Sequence, residues 1–176
     1  IWKAGPSIQN ALLTVLNEKI YRNGDQDIKV PMKALISASN ELPASDQGLE
    51  ALWDRFLVRL MVEGIKEEKN FNEMITNSFH IYEDNIPDEI KLTEEIYAAL
   101  KKAIDKVEIP DNVFGVIHAI RNYINTYNQK EENKNRQIYV SDRRWRKIIH
   151  LLRTSALLND RTTVDLMDCF LLCHCL

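Results

Sequence analysis

The feature that most limits the fold of this chain is a change in its hydrophobic pattern between Glu63 and Ile90. Before this boundary, short apolar runs stand beside a hairpin signal and short helical stretches. After it, apolar residues recur at three- and four-residue spacing. The first pattern is typical of an α/β layer and the second of a helical bundle. The sequence therefore predicts an α/β part followed by an all-α part.

Two apolar runs in the first part, Met32–Ser39 and Leu57–Val62, are predicted as strands buried on both faces. Two such strands and a hairpin are too few to close a sheet, so we expect further strands upstream of Ile1. The other elements predicted before the boundary are a helix over Ser7–Lys19, a hairpin over Lys19–Val30 with its turn at Asn23, Gly24 and Asp25, and a short helix over Leu49–Phe56.

The second part is predicted to be helical throughout. A wholly polar segment, Gln129–Gln137, is expected to be a solvated loop between two of the helices. The predicted helices cover Lys66–Phe79, Thr93–Val107, Pro110–Asn128, Ser141–Leu158 and Thr163–Leu176.

Charge and composition exclude several classes of protein. A net charge of -3 argues against a surface built as a whole for polyanions. No apolar run approaches the roughly 20 residues that a membrane span needs, and the parent protein is expected to be cytoplasmic. The chain opens on Ile1 and closes within an apolar run, so we interpret it as a fragment of a longer protein.

The three cysteines lie close together, between Cys169 and Cys175, which is not the spread expected of a disulfide framework. Cys169 and Cys173 are one helical turn apart and His174 follows, a spacing that could suggest a metal site. The cluster stands among Phe and Leu residues, however, and no second ligand pair with zinc-like spacing occurs in the sequence. We therefore predict no metal here and interpret the cysteines as small apolar residues.

Asn40 is the first candidate site residue, because it stands at the carboxyl end of the run Met32–Ser39. Ligands of open α/β sheets sit beyond these strand ends, and a carboxamide can hold a water molecule and a phosphate oxygen together. Asn40 could therefore aim an attacking water. Alternatively, it only begins a turn.

Arg55 is the second candidate and lies where a short predicted helix leads into the run Leu57–Val62. Its planar, permanently charged guanidinium matches phosphate geometry and could act on a nucleotide held by a neighbouring subunit. The alternative is an ordinary ion pair with Asp54 or Glu50.

Arg143 is the third candidate, in the first turn of a helix whose N-cap is predicted to be Ser141. A helix N-terminus favours anions, and an arginine there adds a bidentate donor for phosphate. The alternative is that the run Arg143–Lys147 forms a solvated basic face or contacts nucleic acid, with Trp145 as a core anchor.

Four segments, taken in order, resemble the MoxR family of AAA+ ATPases, and within it the RavA-like subgroup. They read IWKAGPSIQNALLTVLNEKIYRNG, ISASNELP, LEALWDRFLVRL and VSDRRWRKIIHLLRTSALL. The resemblance implies that residues 1–65 are the C-terminal part of a P-loop AAA+ αβα core, residues 66–92 a connecting helix and loop, and residues 93–176 a helical lid domain.

The same resemblance implies roles for the candidate residues. Asn40 would be the sensor 1 residue that positions the lytic water, and Arg55 the arginine finger supplied in trans to the adjacent subunit. Arg143 would be the sensor 2 arginine. The family form has a proline before this arginine where the chain has Asp142, which is similar to the RavA-like variant, and Arg144 is an alternative by one step of register.

The resemblance also implies a parent that forms a homo-hexamer, uses ATP and Mg²⁺, and couples hydrolysis to chaperone-like remodelling of partner proteins. A partner with a von Willebrand A domain is expected. Because the sequence contains no G-x-x-x-x-G-K-[ST] run, the fragment alone is expected not to hydrolyse ATP. Two alternatives remain from the residues themselves, a nucleic-acid-binding helical module that uses Arg143 to Lys147 and a non-catalytic helical scaffold.

Overall fold

A computed structural model of the chain describes residues 2–43, 48–76, 86–135 and 137–176. The chain divides into two compact units. One consists of Ile1–Leu57 with Tyr139–Arg146, and the other of Val58–Ile138 with Lys147–Leu176.

The first unit begins with helix α1, Pro6–Glu18, close to the predicted bounds. Proline suits the first position because its missing N–H would have no partner inside the helix. The helix ends where Lys19 takes a left-handed conformation, with φ of 55°, and its N–H donates to the carbonyl of Val15. Strand β1 starts at the next residue, so α1 leads directly into the hairpin.

The predicted hairpin is confirmed. Strands β1, Ile20–Asn23, and β2, Gln26–Lys29, pair antiparallel, with Asn23 opposite Gln26. Gly24 has φ of 61°, a value that a two-residue hairpin turn needs and that glycine adopts without steric cost.

Helix α2, Glu50–Trp53, is shorter than the predicted stretch Leu49–Phe56. Its apolar side is nevertheless well anchored, because Leu49 and Leu52 are almost fully buried. The ring of Trp2 packs edge-on against Trp53 and Phe56, with centroid distances of 5.5 and 5.9 Å. These contacts hold the segment that carries Arg55.

The two predicted buried strands are not formed, and this part of the prediction is wrong for the described chain. Neither Met32–Ser39 nor Leu57–Val62 forms a strand, and the described residues contain one sheet, β1 with β2. A strand needs a neighbouring strand for its backbone N–H and C=O groups, and the described ranges place no strand beside these runs. The Arg59 N–H donates to the carbonyl of His174 at 2.8 Å instead. The apolar side chains of these runs are uncovered as a result: Ile36 is 94% exposed and Val62 88% exposed.

The second unit is largely helical, as predicted. The end of the predicted helix Lys66–Phe79 falls on residues 77–79, outside the described residues. The observed helices are α3, Glu68–Thr76; α4, Glu94–Ile104; α5, Asp111–Gln129; and α6, Asp142–Leu158, whose first turn belongs to the first unit. Among the described residues, none of the helices combines the length and the hydrophobicity that crossing a bilayer would require.

Helical spacing explains the core of this unit. On α5 the buried side chains are Val113, Ile117 and Ile124, which lie four and seven residues apart and therefore on one face. The loop after α5 is less solvated than predicted, because Asn133 is buried and its side chain donates to the carbonyl of Tyr127 at 2.9 Å.

The chain ends in a 3₁₀ helix, Leu166–His174, where an α-helix over Thr163–Leu176 was predicted. The Asp165 side chain caps its first turn by accepting the N–H of Met167 at 2.8 Å. Asp168 is 3% exposed, and its carboxylate accepts from both guanidinium nitrogens of Arg161 at 2.7 and 2.8 Å. The Ser155 hydroxyl and the Asp165 N–H complete its shell, at 2.7 and 2.8 Å.

Acid should weaken this buried carboxylate cluster. The hydrogen bonds from Arg161 lower the pKa of Asp168 from 3.8 to about 2. A carboxylate with a lowered pKa stabilises the fold fully above its unfolded pKa, and this contribution disappears as the pH falls through its folded pKa. We expect the free energy of unfolding of wild type to exceed that of Asp168→Asn by about 2 kcal/mol near neutral pH.

Urea denaturation of both proteins at several pH values would measure this difference. It should shrink between pH 3.8 and about 2. A difference that stays constant over this interval would contradict the role given to the carboxylate.

Candidate functional site

The first unit contains an open depression of about 420 Å³ at which two of the predicted site residues meet. Arg55 follows α2, and Arg143 stands in the first turn of α6. The sequence separates them by 88 positions, yet the fold brings both to one surface. The depression is lined by Gly48, Glu50, Ala51, Asp54, Arg55, Tyr139, Ser141 and Arg143.

Arg55 is held at the edge of this depression by its own neighbours. Its Nε donates to the Asn17 side chain at 2.9 Å, and an Nη donates to the Ala51 carbonyl. Partial burial and the nearby charge of Arg143 lower the pKa of Arg55, while Asp54 opposes the shift. Two guanidinium groups that repel each other in this way are stabilised by an anion placed between them.

Arg143 is presented by the N-terminus of α6. The predicted N-cap is confirmed, because the Ser141 hydroxyl accepts the backbone N–H of Arg144 at 3.1 Å. The Arg143 side chain is exposed. Its charge and the helix N-terminus therefore favour the same kind of ligand, an anion such as phosphate.

Arg144, the alternative by one residue, points elsewhere. It is 1% exposed, and its guanidinium donates to three backbone carbonyls, those of Asp54 at 2.9 Å, Phe56 at 3.1 Å and Leu57 at 2.9 Å. Arginine can serve three such acceptors because its donors form a fixed planar fork. It is Arg143, rather than Arg144, whose side chain reaches the depression.

A hydrogen bond between Asp54 and Ser141 links the two arginine-bearing segments. The Ser141 hydroxyl donates to Asp54 Oδ2 at 2.6 Å. The other oxygen, Oδ1, is buried and has no hydrogen-bond partner among the described residues. The sequence marks Ser141 as a cap and Asp54 as a possible ion-pair partner, but a separation of 87 positions leaves no local signal that the two residues meet.

Asn40 lies in the same unit but is not among the residues that line the depression. It is exposed and lies within a local turn in which the Ser39 hydroxyl accepts the N–H of Glu41 at 3.2 Å. The structure therefore brings Arg55 and Arg143 to one depression, and Asn40 is not part of its lining.

The cysteine cluster offers no metal site in the part of the chain that is described. Cys169 is partly buried, Cys173 exposed and Cys175 buried, and burial raises the pKa of Cys169. A raised pKa disfavours the thiolate that metals bind. The described ranges contain no group of three or more His, Cys, Asp or Glu residues that could hold a metal ion.

The basic run Arg143–Lys147 is not one continuous surface. Arg143, Arg146 and Lys147 are exposed, whereas Arg144 is buried and Trp145 is partly buried. A buried arginine bound to backbone carbonyls contributes little to a phosphate-binding face, so the run offers fewer contacts to nucleic acid than its sequence suggests.

Comparison with known proteins places the chain in a class and then in a family. Residues 112–176 match the AAA lid domain. Residues 1–102 match the family described as the MoxR domain in the MoxR-vWA-beta-propeller ternary systems. The chain therefore belongs to the MoxR-type AAA+ family.

Two relatives come from Methanocaldococcus jannaschii. The uncharacterized protein MJ0079 is 36% identical over 174 residues, and the uncharacterized protein MJ0812 is 34% identical over 176 residues. Each alignment covers 99% of this chain and 42% of the relative. The chain thus spans about two fifths of the length of these relatives.

Proposed function

We propose that the chain is part of a ring-forming AAA+ ATPase in which Arg55 and Arg143 together stabilise the phosphates of ATP. The observation that carries this proposal is the depression lined by both side chains. Two mutually repelling guanidinium groups beside a helix N-terminus suit a triphosphate, whose charge grows at the transferred group during hydrolysis. ATP would supply the transferred phosphoryl group, and Mg²⁺ would compensate part of its negative charge.

The residues suit phosphate better than they suit the metal. Arg55 and Arg143 are donors without acceptor capacity, and of the two carboxylates that line the depression Asp54 is engaged by Ser141, which leaves Glu50 as a single acidic ligand. Ligands for Mg²⁺ are therefore expected outside this depression, with the P-loop and the acidic motif that the family carries upstream. Arg55 would serve as the arginine finger and Arg143 as sensor 2.

The position of the two arginines on one chain affects how they would act. Residues that line one depression can most directly reach the same phosphate. Because Arg55 would be an arginine finger that acts in trans, we infer that Arg143 also acts on the nucleotide of the neighbouring protomer. Asn40, which is not part of the lining, would act as sensor 1 on the nucleotide of its own protomer and orient the attacking water.

The wider proposal follows the family. The protein would be a cytoplasmic homo-hexamer of the RavA-like subgroup, with residues 1–65 in the core, 66–92 as connection and 93–176 as lid. Its ATP hydrolysis would remodel partner proteins in a chaperone-like way. The description of the matching family, which names vWA systems, supports a partner with a von Willebrand A domain.

Replacement of Arg143 tests the proposal. In the full-length protein, Arg143→Ala should lower kcat for ATP about a hundredfold, since a positioned donor to developing charge is lost. Arg146→Ala, on the same helix and exposed, is the matched control and should retain wild-type turnover. Steady-state phosphate release, with ADP affinity measured separately, gives both values.

Mixing variants tests whether the two arginines act from the same side. If Arg55 and Arg143 serve the same neighbouring site, rings mixed from Arg55→Ala and Arg143→Ala protomers stay inactive, because no protomer offers both arginines. Recovered hydrolysis would refute the shared site.

Salt-sensitive binding of DNA or RNA that is lost in Arg143→Ala, with no ATP hydrolysis by wild type, would favour the nucleic-acid module instead.

A further inference from the structure

Arg144 binds the backbone on both sides of Arg55 in the sequence. Its guanidinium holds the carbonyl of the residue before Arg55, Asp54, and those of the two residues after it, Phe56 and Leu57. A backbone fixed on both sides of a residue leaves its side chain few directions. Arg144 also directly follows Arg143, so one buried side chain restrains the backbones of both Arg55 and Arg143.

A second link runs in parallel through Ser141. Its hydroxyl donates to Asp54 at 2.6 Å and accepts from the Arg144 N–H at 3.1 Å. It thereby joins the residue before Arg55 to the first turn that carries Arg143. Asp54 is 9% exposed and Arg144 1% exposed, so both links are at least partly shielded from water. Hydrogen bonds of charged groups in such surroundings hold their geometry well.

We propose that Arg144 and Ser141 are positioning residues that fix the separation of Arg55 and Arg143, so that both guanidinium groups meet one phosphoryl group. This inference rests on the proposed function of Arg55 and Arg143. It assigns the second arginine of the Arg143-Arg144 pair a task different from nucleotide contact. A displacement of about 1 Å at a catalytic group can cost about a hundredfold in rate, so such a restraint has a measurable effect.

The test compares Arg144→Lys with Arg146→Lys in the full-length protein. Lysine keeps the charge but offers donors from a single point, so it cannot serve three carbonyls in the same fork. Arg144→Lys should lower kcat about tenfold to a hundredfold with little change in KM, because positioning is lost rather than binding. Arg146→Lys should match wild type in both constants.

A binding measurement separates positioning from loss of activity in general. Arg144→Lys should bind Mg²⁺-ADP as wild type does, but its affinity for Mg²⁺-ADP with aluminium fluoride, which mimics the transferring phosphoryl group, should fall about as much as kcat. Equal loss of affinity for both ligands, or none for either, would overturn the inference.

A double-mutant cycle distinguishes positioning from a merely structural role. If Arg144 acts through Arg55 and Arg143, Arg144→Lys lowers kcat by a smaller factor in an Arg55→Ala background than in wild type, because contacts in one network are not additive. A structural defect would lower kcat by the same factor in both backgrounds, and that result would refute the inference. Thermal unfolding of each variant shows whether it is folded.

Ser141→Ala keeps the test decisive should Arg144→Lys not fold. This variant removes the link to Asp54 together with the cap of α6, and the inference requires the same selective loss of kcat and the same non-additivity with Arg55→Ala. The proposed function has its own test: it is wrong if Arg55→Ala and Arg143→Ala hydrolyse ATP at the wild-type rate. If those variants are impaired while Arg144→Lys and Ser141→Ala are normal, only the positioning role is wrong.

Discussion

Arg55→Ala in the full-length protein is expected to lower kcat for ATP about a thousandfold or more, the largest effect of any substitution proposed for this chain. The methyl group of alanine cannot compensate the charge that develops on the transferred phosphoryl group. Binding of ADP should change little, since the proposed finger would come from a neighbouring protomer, outside the pocket that binds the nucleotide. Single-turnover hydrolysis and equilibrium binding of a fluorescent ADP measure the two effects.

Two controls define the cause of that loss. Arg121→Ala removes an exposed arginine on α5 and should leave kcat unchanged. Arg55→Lys keeps the charge without the planar fork and should recover only part of the rate, because a lysine cannot donate to phosphate in a bidentate way. Hydrolysis by Arg55→Ala at the wild-type rate would remove Arg55 from the site.

Mixed rings can show that Arg55 acts on a neighbour. Asn40→Ala and Arg55→Ala protomers should each be inactive alone. When they are mixed, an Asn40→Ala protomer can supply its intact Arg55 to an Arg55→Ala neighbour whose Asn40 is intact, so hydrolysis should return in part. Continued inactivity of rings that assemble normally would contradict the proposal that Asn40 acts on the nucleotide of its own protomer and Arg55 on that of a neighbour.

Local signals in the sequence were sufficient for most helices and for the hairpin. The periodic apolar residues of α5 and the proline at the start of α1 act within a few positions, as does Gly24 in its turn. Strand formation depends on a partner instead. The run Met32–Ser39 has the composition of a buried strand, but its backbone has no neighbouring strand in the described residues.

The candidate site was predictable in its residue types and not in its geometry. The suitability of Arg55 and Arg143 for phosphate follows from guanidinium chemistry alone. That they share a depression, and that Arg144 is buried against the carbonyls beside Arg55, depends on contacts across nearly 90 positions. Register within SDRRW cannot distinguish the exposed arginine from the buried one, because both are equally charged and adjacent.

The terminal 3₁₀ helix depends on a similar distant contact. Apolar spacing in Thr163–Leu176 suggests an α-helix, but the Asp168 side chain accepts the N–H of Asp165 and pairs with Arg161 instead of facing solvent. A buried carboxylate with four donors fixes the first turn in the conformation that suits those donors. Nothing in the local periodicity predicts this.

Asp168→Ala is accordingly expected to lower the free energy of unfolding by about 3 kcal/mol, the largest stability effect proposed here. The substitution removes the acceptor of two guanidinium bonds and leaves the Ser155 hydroxyl and the Asp165 N–H without their partner. The value lies at the lower end for a broken buried pair because the Arg161 side chain is 33% exposed and can be hydrated. Urea denaturation followed by circular dichroism measures it.

The matched control is Asp88→Ala, which breaks an ion pair of nearly the same length in the same unit. Asp88 lies 2.9 Å from Lys91, but its side chain is 95% exposed, against 3% for Asp168. A solvated pair of this kind contributes about 0.5 kcal/mol or less. If burial rather than pairing determines the stabilisation, Asp168→Ala must be several times more destabilising than Asp88→Ala. Similar losses in the two variants would mean that the Asp168 cluster is not what anchors the terminal 3₁₀ helix.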